Sequence, residues 1–307
     1  MTLPQLPPGR KVEVRAIDGV RLHAEVFGPE DGYPIVLAHG ITCAIGVWAH
    51  QIADLATDYR VIAYDHRGHG RSETPHGRRR YSLNHLAADL DAVLDATLKP
   101  GERAIIAGHS MGGIAITSWS QRYPARVAAR ADAVALINTT TGDLLRHVKL
   151  APVPAPLSGA RIRAAGTFLK TFGATPVPRL ADGPNKRFVA YLAVGRDAEP
   201  WVAEFVHHLF AATPPASRGG WARALVDSLG TTHISLRNLV VPTLVIGSTK
   251  DRLLPIVASR RIATDAPNLA SFVELSGGHC AILEQPGEVC AHLRRLTESV
   301  APQRRIG

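Results

Sequence analysis

A serine between two glycines is the residue whose surroundings most clearly indicate chemistry. Ser110 lies in the sequence GHSMG, residues 108–112, between an apolar run, Ala104 to Ala107, and a segment with helix-forming character. A buried strand that runs directly into a helix through Gly-x-Ser-x-Gly is typical of a nucleophile elbow. The turn strains the backbone at the serine, and the glycines on either side avoid a steric collision. The pattern therefore predicts an exposed nucleophilic hydroxyl at a helix amino terminus, where the helix dipole favours developing negative charge.

A general base is the second requirement, because a serine hydroxyl is a poor nucleophile until its proton is removed. A neutral imidazole is the usual base near pH 7. His279 follows Gly277 and Gly278 in the loop after the last predicted strand, from which it could reach across the strand ends to Ser110. We predict that His279 is the base. The alternative interpretation is an ordinary surface-loop histidine, one of 14 in the chain.

An acid must fix the tautomer of that imidazole and stabilise its charged form. Asp251 follows the predicted strand Thr243 to Gly247, and the order Ser110, Asp251, His279 is the one expected for an elbow on such a sheet. A turn aspartate paired with a neighbouring Lys or Arg is the alternative interpretation of this residue. Asp143, after the sixth strand, is the reserve candidate for the acid.

The oxyanion that forms during acyl transfer needs two fixed hydrogen-bond donors. We expect the backbone N–H of Met111, the residue after the nucleophile, and that of Ile41, in the loop after the third strand, to supply them. Four further residues are expected to contact the substrate: His39, Gly40, Trp48 and His109. For Trp48, packing in the core is an equally good interpretation.

The elements that would position these residues alternate between strand and helix. An opening hairpin around Asp18-Gly19 is followed by apolar runs typical of buried strands and by helical spacings. The predicted strands are Val12–Ala16, Arg21–Phe27, Ile35–Ala38, Arg60–Tyr64, Ala104–Ala107, Ala131–Ile137, Thr243–Gly247 and Ala270–Leu275. The helices predicted with them are Val47–Ala56, Tyr81–Leu98, the segment from the elbow to Tyr123, and Pro286–Ser299. We therefore expect an α/β fold with a mostly parallel eight-stranded sheet, helices on both faces, and a ligand site beyond the carboxyl ends of the strands.

Residues 141–230 differ from the rest, because prolines divide this segment into short pieces. Amphipathic helices are predicted at Ala160–Phe172, Arg187–Val194 and Trp201–Ala211. The aromatic and leucine content argues against a disordered linker. We predict a helical cap, residues 141–230, inserted into a core formed by residues 1–140 and 231–307. The basic tail, residues 301–307, is expected to fray.

These motifs together resemble the α/β-hydrolase superfamily. The resemblance lies in His39-Gly40, the sequence YDHRGHGRS at residues 64–72, the elbow, Asp251 and Gly278-His279. It is closest to the lid-bearing group of bacterial esterases, monoacylglycerol-lipase-like enzymes, cofactor-free haloperoxidase-like perhydrolases and carbon–carbon bond hydrolases. The resemblance implies the Ser-Asp-His roles above, no metal and no cofactor. A serine in the elbow, where epoxide hydrolases and haloalkane dehalogenases carry Asp, argues against those two activities.

The expected activity is the hydrolysis of carboxylic esters with hydrophobic acyl or lipid-like groups, through an acyl-enzyme intermediate. One alternative is a carbon–carbon bond hydrolase of a ring-fission product. The resemblance implies that this group carries Asn at the position before the serine. This chain has His109 there, which favours ester hydrolysis. The other alternative is a non-catalytic ligand-binding protein on the same scaffold, which usually lacks one member of the triad.

The balance of charge is strongly basic, with a formal net charge of +9. Residues 141–230 carry 11 Lys or Arg against 6 Asp or Glu, so the excess is concentrated in the predicted cap. Such a surface could make weak contact with an anionic membrane, although a compositional bias towards arginine explains the charge more simply. No nucleic-acid-binding motif accompanies the charge, so we expect a small-molecule substrate and no nucleic acid.

Cysteine and histidine usage predicts neither a disulfide frame nor a metal site. The three cysteines are too scattered for either, and His66 and His69 lack a third ligand of suitable spacing. The resemblance implies a structural role for the loop Asp65 to Ser72. The sequence MTLPQLPPGRKVEVR has no apolar stretch behind its charges, which predicts a protein without a signal peptide. We expect a cytoplasmic enzyme with reduced thiols.

Overall fold

The described part of the chain in the computed structural model comprises residues 2–147 and 182–301, with Ala164, Gly166, Thr167, Lys170, Thr171, Ala174 and Thr175 between them. Most of the predicted helix Ala160–Phe172 therefore lies outside the described residues, as does the tail after Ala301.

Eight strands form one sheet in the order β1-β2-β4-β3-β5-β6-β7-β8. β1 and β2 form an antiparallel hairpin, β2 pairs antiparallel with β4, and the remaining neighbours are parallel. The predicted eight-stranded, mostly parallel sheet is therefore confirmed. The strands are β1 Gly9–Arg15, β2 Arg21–Phe27, β3 Pro34–Ala38, β4 Arg60–Tyr64, β5 Ala104–His109, β6 Ala131–Ile137, β7 Thr243–Ser248 and β8 Leu269–Leu275.

Helices connect the parallel strands and also occupy the segment between β6 and β7. The α-helices of the described residues are α1 Ala49–Leu55, α2 Leu83–Thr97, α3 Met111–Arg122, α4 Pro124–Arg130, α5 Leu144–His147, α6 Asp182–Ala193, α7 Pro200–Ala212, α8 Pro215–Leu229, α9 Ile256–Asp265, α10 Ala281–Glu284 and α11 Pro286–Val300. Short 3₁₀ helices lie at Ile45–Trp48 and Arg78–Arg80. None of these helices combines the length and the apolar character needed to span a bilayer.

The central strands are buried on both faces, and alternate residues enter different halves of the core. In β3, Val36 joins one apolar cluster with residues of α2 and α3, whereas Leu37 joins a second cluster with residues of α1 and α11. Every residue of β3, β4 and β5 is buried. This double burial explains why these strands are continuous apolar runs in the sequence rather than alternating ones.

Among the described residues, four helices lie between β6 and β7, namely α5, α6, α7 and α8. Helices were predicted at the positions of α6 and α7, but α8 was not, because Pro214 and Pro215 look like breakers. Pro215 instead occupies the first turn of α8, where its missing N–H has no helical partner to lose. The division of the chain into a core and a cap stays a prediction.

Candidate active site

The backbone at Ser110 has the strained turn that the sequence predicts. Ser110 lies between β5 and α3 with φ 54° and ψ −118°, a conformation that few non-glycine residues adopt. Its N–H donates to the carbonyl of Ile137, at the end of β6 (2.9 Å). A side chain at Gly112 would overlap the carbonyl oxygen of Ala38, so the glycine allows α3 to begin against β3. The tight junction raises the serine side chain above the carboxyl ends of the strands.

His279 and Asp251 form a buried hydrogen-bonded pair. His279 Nδ1 lies 2.8 Å from Asp251 Oδ2. If Nδ1 carries the proton it donates to the carboxylate, and Nε2 then presents a lone pair that can accept a proton. The other carboxylate oxygen of Asp251 accepts the N–H groups of Leu253 (2.9 Å) and Leu254 (2.8 Å). Asp251 is therefore held by its own loop in the orientation that an imidazole base needs.

The reserve acid, Asp143, occupies a different environment. Its Oδ2 lies 2.7 Å from His233 Nε2 and 3.3 Å from an Arg261 guanidinium nitrogen. These partners come from the segment before β7 and from α9. Asp143 is thus engaged in another polar cluster, whereas Asp251 contacts His279.

Ser110 and His279 line the same cavity, which has a volume of about 160 Å³. In the described part of the chain no direct hydrogen bond joins the serine hydroxyl to the imidazole. Such bonds are often long in a free enzyme and tighten when a substrate is bound. One part of the wall is formed by apolar side chains of α6 and α7, namely Phe188, Val189, Leu192, Ala193, Val206 and Phe210.

A second, smaller cavity also borders Ser110. It has a volume of about 120 Å³ and is lined by Ile41, Ser110, Met111, Ile114, Leu144, Ala222, Leu225, Val226, Leu253 and Leu254. Apart from the serine, every lining residue is apolar. Ser110 therefore borders two mainly apolar chambers, an arrangement that suits a substrate with a group on each side of its reacting carbonyl.

The two proposed oxyanion donors lie beside Ser110 in these chambers. Ile41 lines both cavities, and Met111 lines the smaller one. Met111 opens α3, so its N–H has no acceptor within the helix. The residue after Ile41, Thr42, has φ 60°, and its N–H donates to His69 Nε2 (3.0 Å). The oxyanion loop is thus anchored by a histidine from the loop after β4.

The four expected substrate contacts divide into two pairs. Gly40 and His109 line the larger cavity, whereas His39 and Trp48 are fully buried and are not among its lining residues. His39 Nδ1 lies 2.7 Å from the Gly40 carbonyl oxygen, so the ring braces the oxyanion loop from behind. Trp48 packs in the core with its ring centroid 6.4 Å from that of His109. Direct substrate contact by His39 and Trp48 stays a prediction, and both side chains lie behind the residues that line the cavity.

The loop from Asp65 to Ser72 forms hydrogen bonds with several other parts of the fold. Asp65 accepts the N–H groups of Ile45 (2.8 Å) and Arg71 (2.9 Å) through different oxygens. Arg67 is fully buried, and its Nε donates to Asp89 on α2 (2.7 Å). These contacts fit the structural role that the family resemblance implies. Across the described ranges, no three His, Cys, Asp or Glu side chains are placed to hold a metal ion.

Burial sets the protonation of the polar groups that surround Ser110. It lowers the pKa of His39 to about 4, and burial with the nearby His279 lowers the pKa of His109 to about 3. Both rings are therefore neutral near pH 7. Burial also raises the pKa of the Cys43 thiol to about 12 and that of Cys280 well above its usual range. Both cysteines line the cavity, but as thiols they are poor nucleophiles, which leaves the serine as the attacking group.

Three polar residues at the site were not predicted from the sequence. Asn138, directly after β6, has φ 43° and donates to Asp251 Oδ2 (3.1 Å). Arg218 lines the larger cavity and donates to the carbonyls of Phe210 and Thr175 (both 2.8 Å). Glu284 accepts backbone N–H groups on both sides of His279. Of these, only Asn138 carried a usable signal, because it follows the end of a parallel strand.

Comparison with known proteins gives a consistent result. A family model described as alpha/beta hydrolase fold matches residues 33–286. RutD from Variovorax paradoxus (strain S110), named as a candidate carbamate hydrolase, is 30% identical over 261 residues, which cover 84% of this chain and 89% of RutD. The crystal structure of the esterase RhEst1 from Rhodococcus sp. ECU1013 is 26% identical with a TM-score of 0.67, over 95% of this chain and 99% of that one. The enol-lactonase from Burkholderia xenovorans LB400 shares the fold, with a TM-score of 0.73 at 24% identity, over 94% of this chain and 100% of that one.

Proposed function

Because this chain belongs to the alpha/beta hydrolase fold family and is a hydrolase of that type, we propose that it cleaves carboxylic esters through an acyl-enzyme intermediate on Ser110. The observation that carries the proposal is the buried His279–Asp251 pair, whose imidazole lines the same cavity as a serine held in a strained strand-to-helix turn. This is the set of groups that nucleophilic acyl transfer requires.

The mechanism assigns one role to each group. His279 Nε2 removes the proton from the Ser110 hydroxyl as the oxygen attacks the ester carbonyl. The backbone N–H groups of Ile41 and Met111 stabilise the resulting oxyanion. His279 then gives its proton to the departing alkoxide, and later activates a water that releases the acid. Asp251 keeps the ring oriented and stabilises its charged form in both halves of the cycle.

The two chambers suggest how an ester is oriented. His279 lines only the larger cavity, and it must protonate the leaving oxygen, so the alcohol group belongs there. The acyl group then enters the smaller cavity, where Ile114, Leu144 and Leu225 are among the walls. Those walls favour a hydrophobic acyl group, and the volume of about 120 Å³ favours a short or medium chain over a long one.

Hydrolysis of 4-nitrophenyl esters from acetate to palmitate, by the wild type and the Ser110→Ala variant, tests the proposal. We expect turnover that peaks at short or medium acyl chains and a fall in kcat of about 10⁶-fold in the variant, as for removal of the nucleophile in other serine hydrolases. A fluorophosphonate probe should label the wild type and leave the variant unlabelled. Undiminished ester hydrolysis by the variant would contradict the mechanism.

Carbamate hydrolysis is a second candidate, supported by the likeness to RutD over most of both chains. The same serine, base and oxyanion donors could cleave a carbamate, because its carbonyl also passes through a tetrahedral oxyanion. Specificity constants for an aryl ester and the matching aryl carbamate, measured on one preparation, separate the two. An ester value at least as high as the carbamate value is expected from a site with wholly apolar walls around the acyl group.

A further inference from the structure

A carboxylate next to the His279 loop is bound by three backbone N–H groups. Glu284 Oε2 accepts the N–H of Gly278 (2.7 Å) and that of Gly195 (3.1 Å), and Oε1 accepts the N–H of Cys280 (3.2 Å). Gly278 and Cys280 are the two neighbours of His279 in the chain. The carboxylate therefore holds the backbone on both sides of the proposed base.

The third donor belongs to a different part of the molecule. Gly195 lies just after α6, whose residues form one wall of the larger cavity. The N–H of Cys280 also donates to the carbonyl of Ala193, the last residue of α6 (3.1 Å). Glu284 is thus the common acceptor at a junction between the His279 loop and the end of a helix that contacts the substrate cavity.

Two glycines allow this junction to form. A Cβ atom added at Gly278 would overlap the backbone nitrogen of Gly195, and one added at Gly195 would lie 2.5 Å from Glu284 Oε2. The backbones of the two segments therefore touch directly, with the carboxylate filling the remaining space. Two larger side chains could not be accommodated there without separating the segments.

The charge of Glu284 also lies close enough to His279 to interact with it. Burial raises the pKa of the Glu284 carboxyl, while the three N–H groups and the nearby His279 lower it. Asp251 contacts the ring itself, whereas Glu284 acts on the backbone that carries it.

We propose that Glu284 is a positioning residue for His279, and that it couples the base to the end of α6 so that the cavity wall and the base keep a fixed relation. The proposal rests on the function proposed above, since it assigns His279 the role of base. It predicts that the loss of the carboxylate affects the chemical step more than substrate binding.

The test compares Glu284→Gln with Glu288→Gln, an exposed glutamate in the first turn of α11 that serves as a matched control. Glutamine keeps the size of the side chain but replaces one acceptor oxygen with an NH₂ group, which faces N–H donors. We expect kcat for a 4-nitrophenyl ester to fall at least about tenfold with KM unchanged within about twofold, because small displacements of a catalytic group cost up to about 100-fold. The control should keep the wild-type kcat.

Amide hydrogen exchange provides a measurement that does not depend on activity. In Glu284→Gln, exchange should accelerate at Gly195, Gly278 and Cys280, while the core strands keep their protection. Gly195→Ala offers a second route, since its methyl group would displace the carboxylate without removing the charge. Gly195→Ala should lower kcat in the same way, so it provides the test if Glu284→Gln fails to fold.

The possible failures are distinguishable. Wild-type exchange rates at the three amides in Glu284→Gln, with kcat unchanged, would overturn the positioning role. A wild type that neither hydrolyses esters nor reacts with the fluorophosphonate would instead overturn the proposed function. A loss of binding with an unchanged kcat would assign Glu284 to the substrate cavity and would also contradict the proposal.

Discussion

The carboxylate of Asp251 accepts hydrogen bonds from three segments of the chain. Leu253 and Leu254 donate backbone N–H groups to Oδ1, and Asn138 and His279 contact Oδ2. An acceptor held so firmly can fix the orientation of the imidazole at little entropic cost during turnover. The role of this residue is therefore sensitive to its exact chemical form and not only to its size.

Asp251→Asn should lower kcat by about 10⁴-fold, as loss of the orienting carboxylate does in other serine hydrolases, because the amide favours the wrong imidazole tautomer. The stability of the fold should change far less than the activity. Steady-state hydrolysis of a 4-nitrophenyl ester measures the effect. Asp197→Asn is the control, because Asp197 is an exposed partner of Lys250. A variant of Asp251 that retains a tenth of the wild-type kcat would show that the acid lies elsewhere.

Among individual site residues, those that directly follow a strand end could be predicted from the sequence. Those whose role depends on contacts with distant parts of the chain could not. Ser110 and Asp251 lie after buried apolar runs, so the topology alone brings them to one edge of the sheet. Glu284 offered no such signal, since its role depends on Gly195, 89 positions away in the chain. Trp48 is consistent with either a pocket or a core position in the sequence, and only its burial in the core beside His109 of β5 distinguishes the two.

The close approach of α3 to the sheet gives a prediction at the scale of elements. Gly112→Ala should destabilise the protein by about 1–3 kcal/mol or more, because the added methyl group overlaps the carbonyl of Ala38 and must push α3 away from β3. Activity should fall as well, since α3 carries the Met111 N–H. Urea denaturation and ester hydrolysis measure the two effects.

Gly287→Ala in α11 is the matched control. Gly287 is exposed, and apart from its chain neighbours and its own helix no atom lies within 4 Å of the position that its Cβ would take. Alanine there should stabilise the helix by up to about 1 kcal/mol through propensity. If both substitutions had the same effect, the contact between α3 and β3 would not be the reason that position 112 is a glycine.

The strands and most helices of the sheet region could be predicted because burial and periodicity act within each segment. β4 and β6 have the predicted bounds, and β3, β7 and β8 differ by a single residue at one end. The helix α8 could not be predicted in this way, because Pro214 and Pro215 look like breakers at its start and Gly220 lies in its interior. A side chain there would lie 2.5 Å from the ring of Tyr81, so tertiary contact selects a residue that local propensity disfavours.

For the whole molecule, buried neutral histidines link stability to pH. Burial lowers the pKa of His39 to about 4 and those of His69 and His109 to about 3, well below the value near 6.5 of an unfolded chain. As the pH falls below about 6.5, the unfolded chain binds protons that the folded protein does not. Each such ring therefore removes ~1.4 kcal/mol of stability per pH unit until the pH reaches its folded pKa.

We expect the free energy of unfolding to fall steeply between pH 6.5 and 4, and His69→Gln to reduce that slope by about one proton. The glutamine amide oxygen can still accept the Thr42 N–H. Urea denaturation at pH 7, 6 and 5 measures the slope. His208→Gln, at an exposed position on α7, should leave it unchanged. Equal slopes for the wild type and His69→Gln would mean that His69 titrates normally in the folded protein.

The direct pairing of β6 with β7 has a consequence for how such proteins diversify. The chain leaves the carboxyl end of β6 and returns at the amino end of the adjacent parallel strand β7, at the opposite edge of the sheet. Between these strands Gly142 and His233 pair in an antiparallel bridge, so the stretch between those two residues enters and exits at neighbouring points. A recombination event at these two points could exchange the whole intervening stretch without altering the order of the strands. Only a graft with a glycine in the place of Gly195 would keep the close backbone contact with Gly278 and so preserve the position of His279. The activity of chimaeras with new substrate ranges should therefore depend less on the length of the graft than on the residue that replaces Gly195.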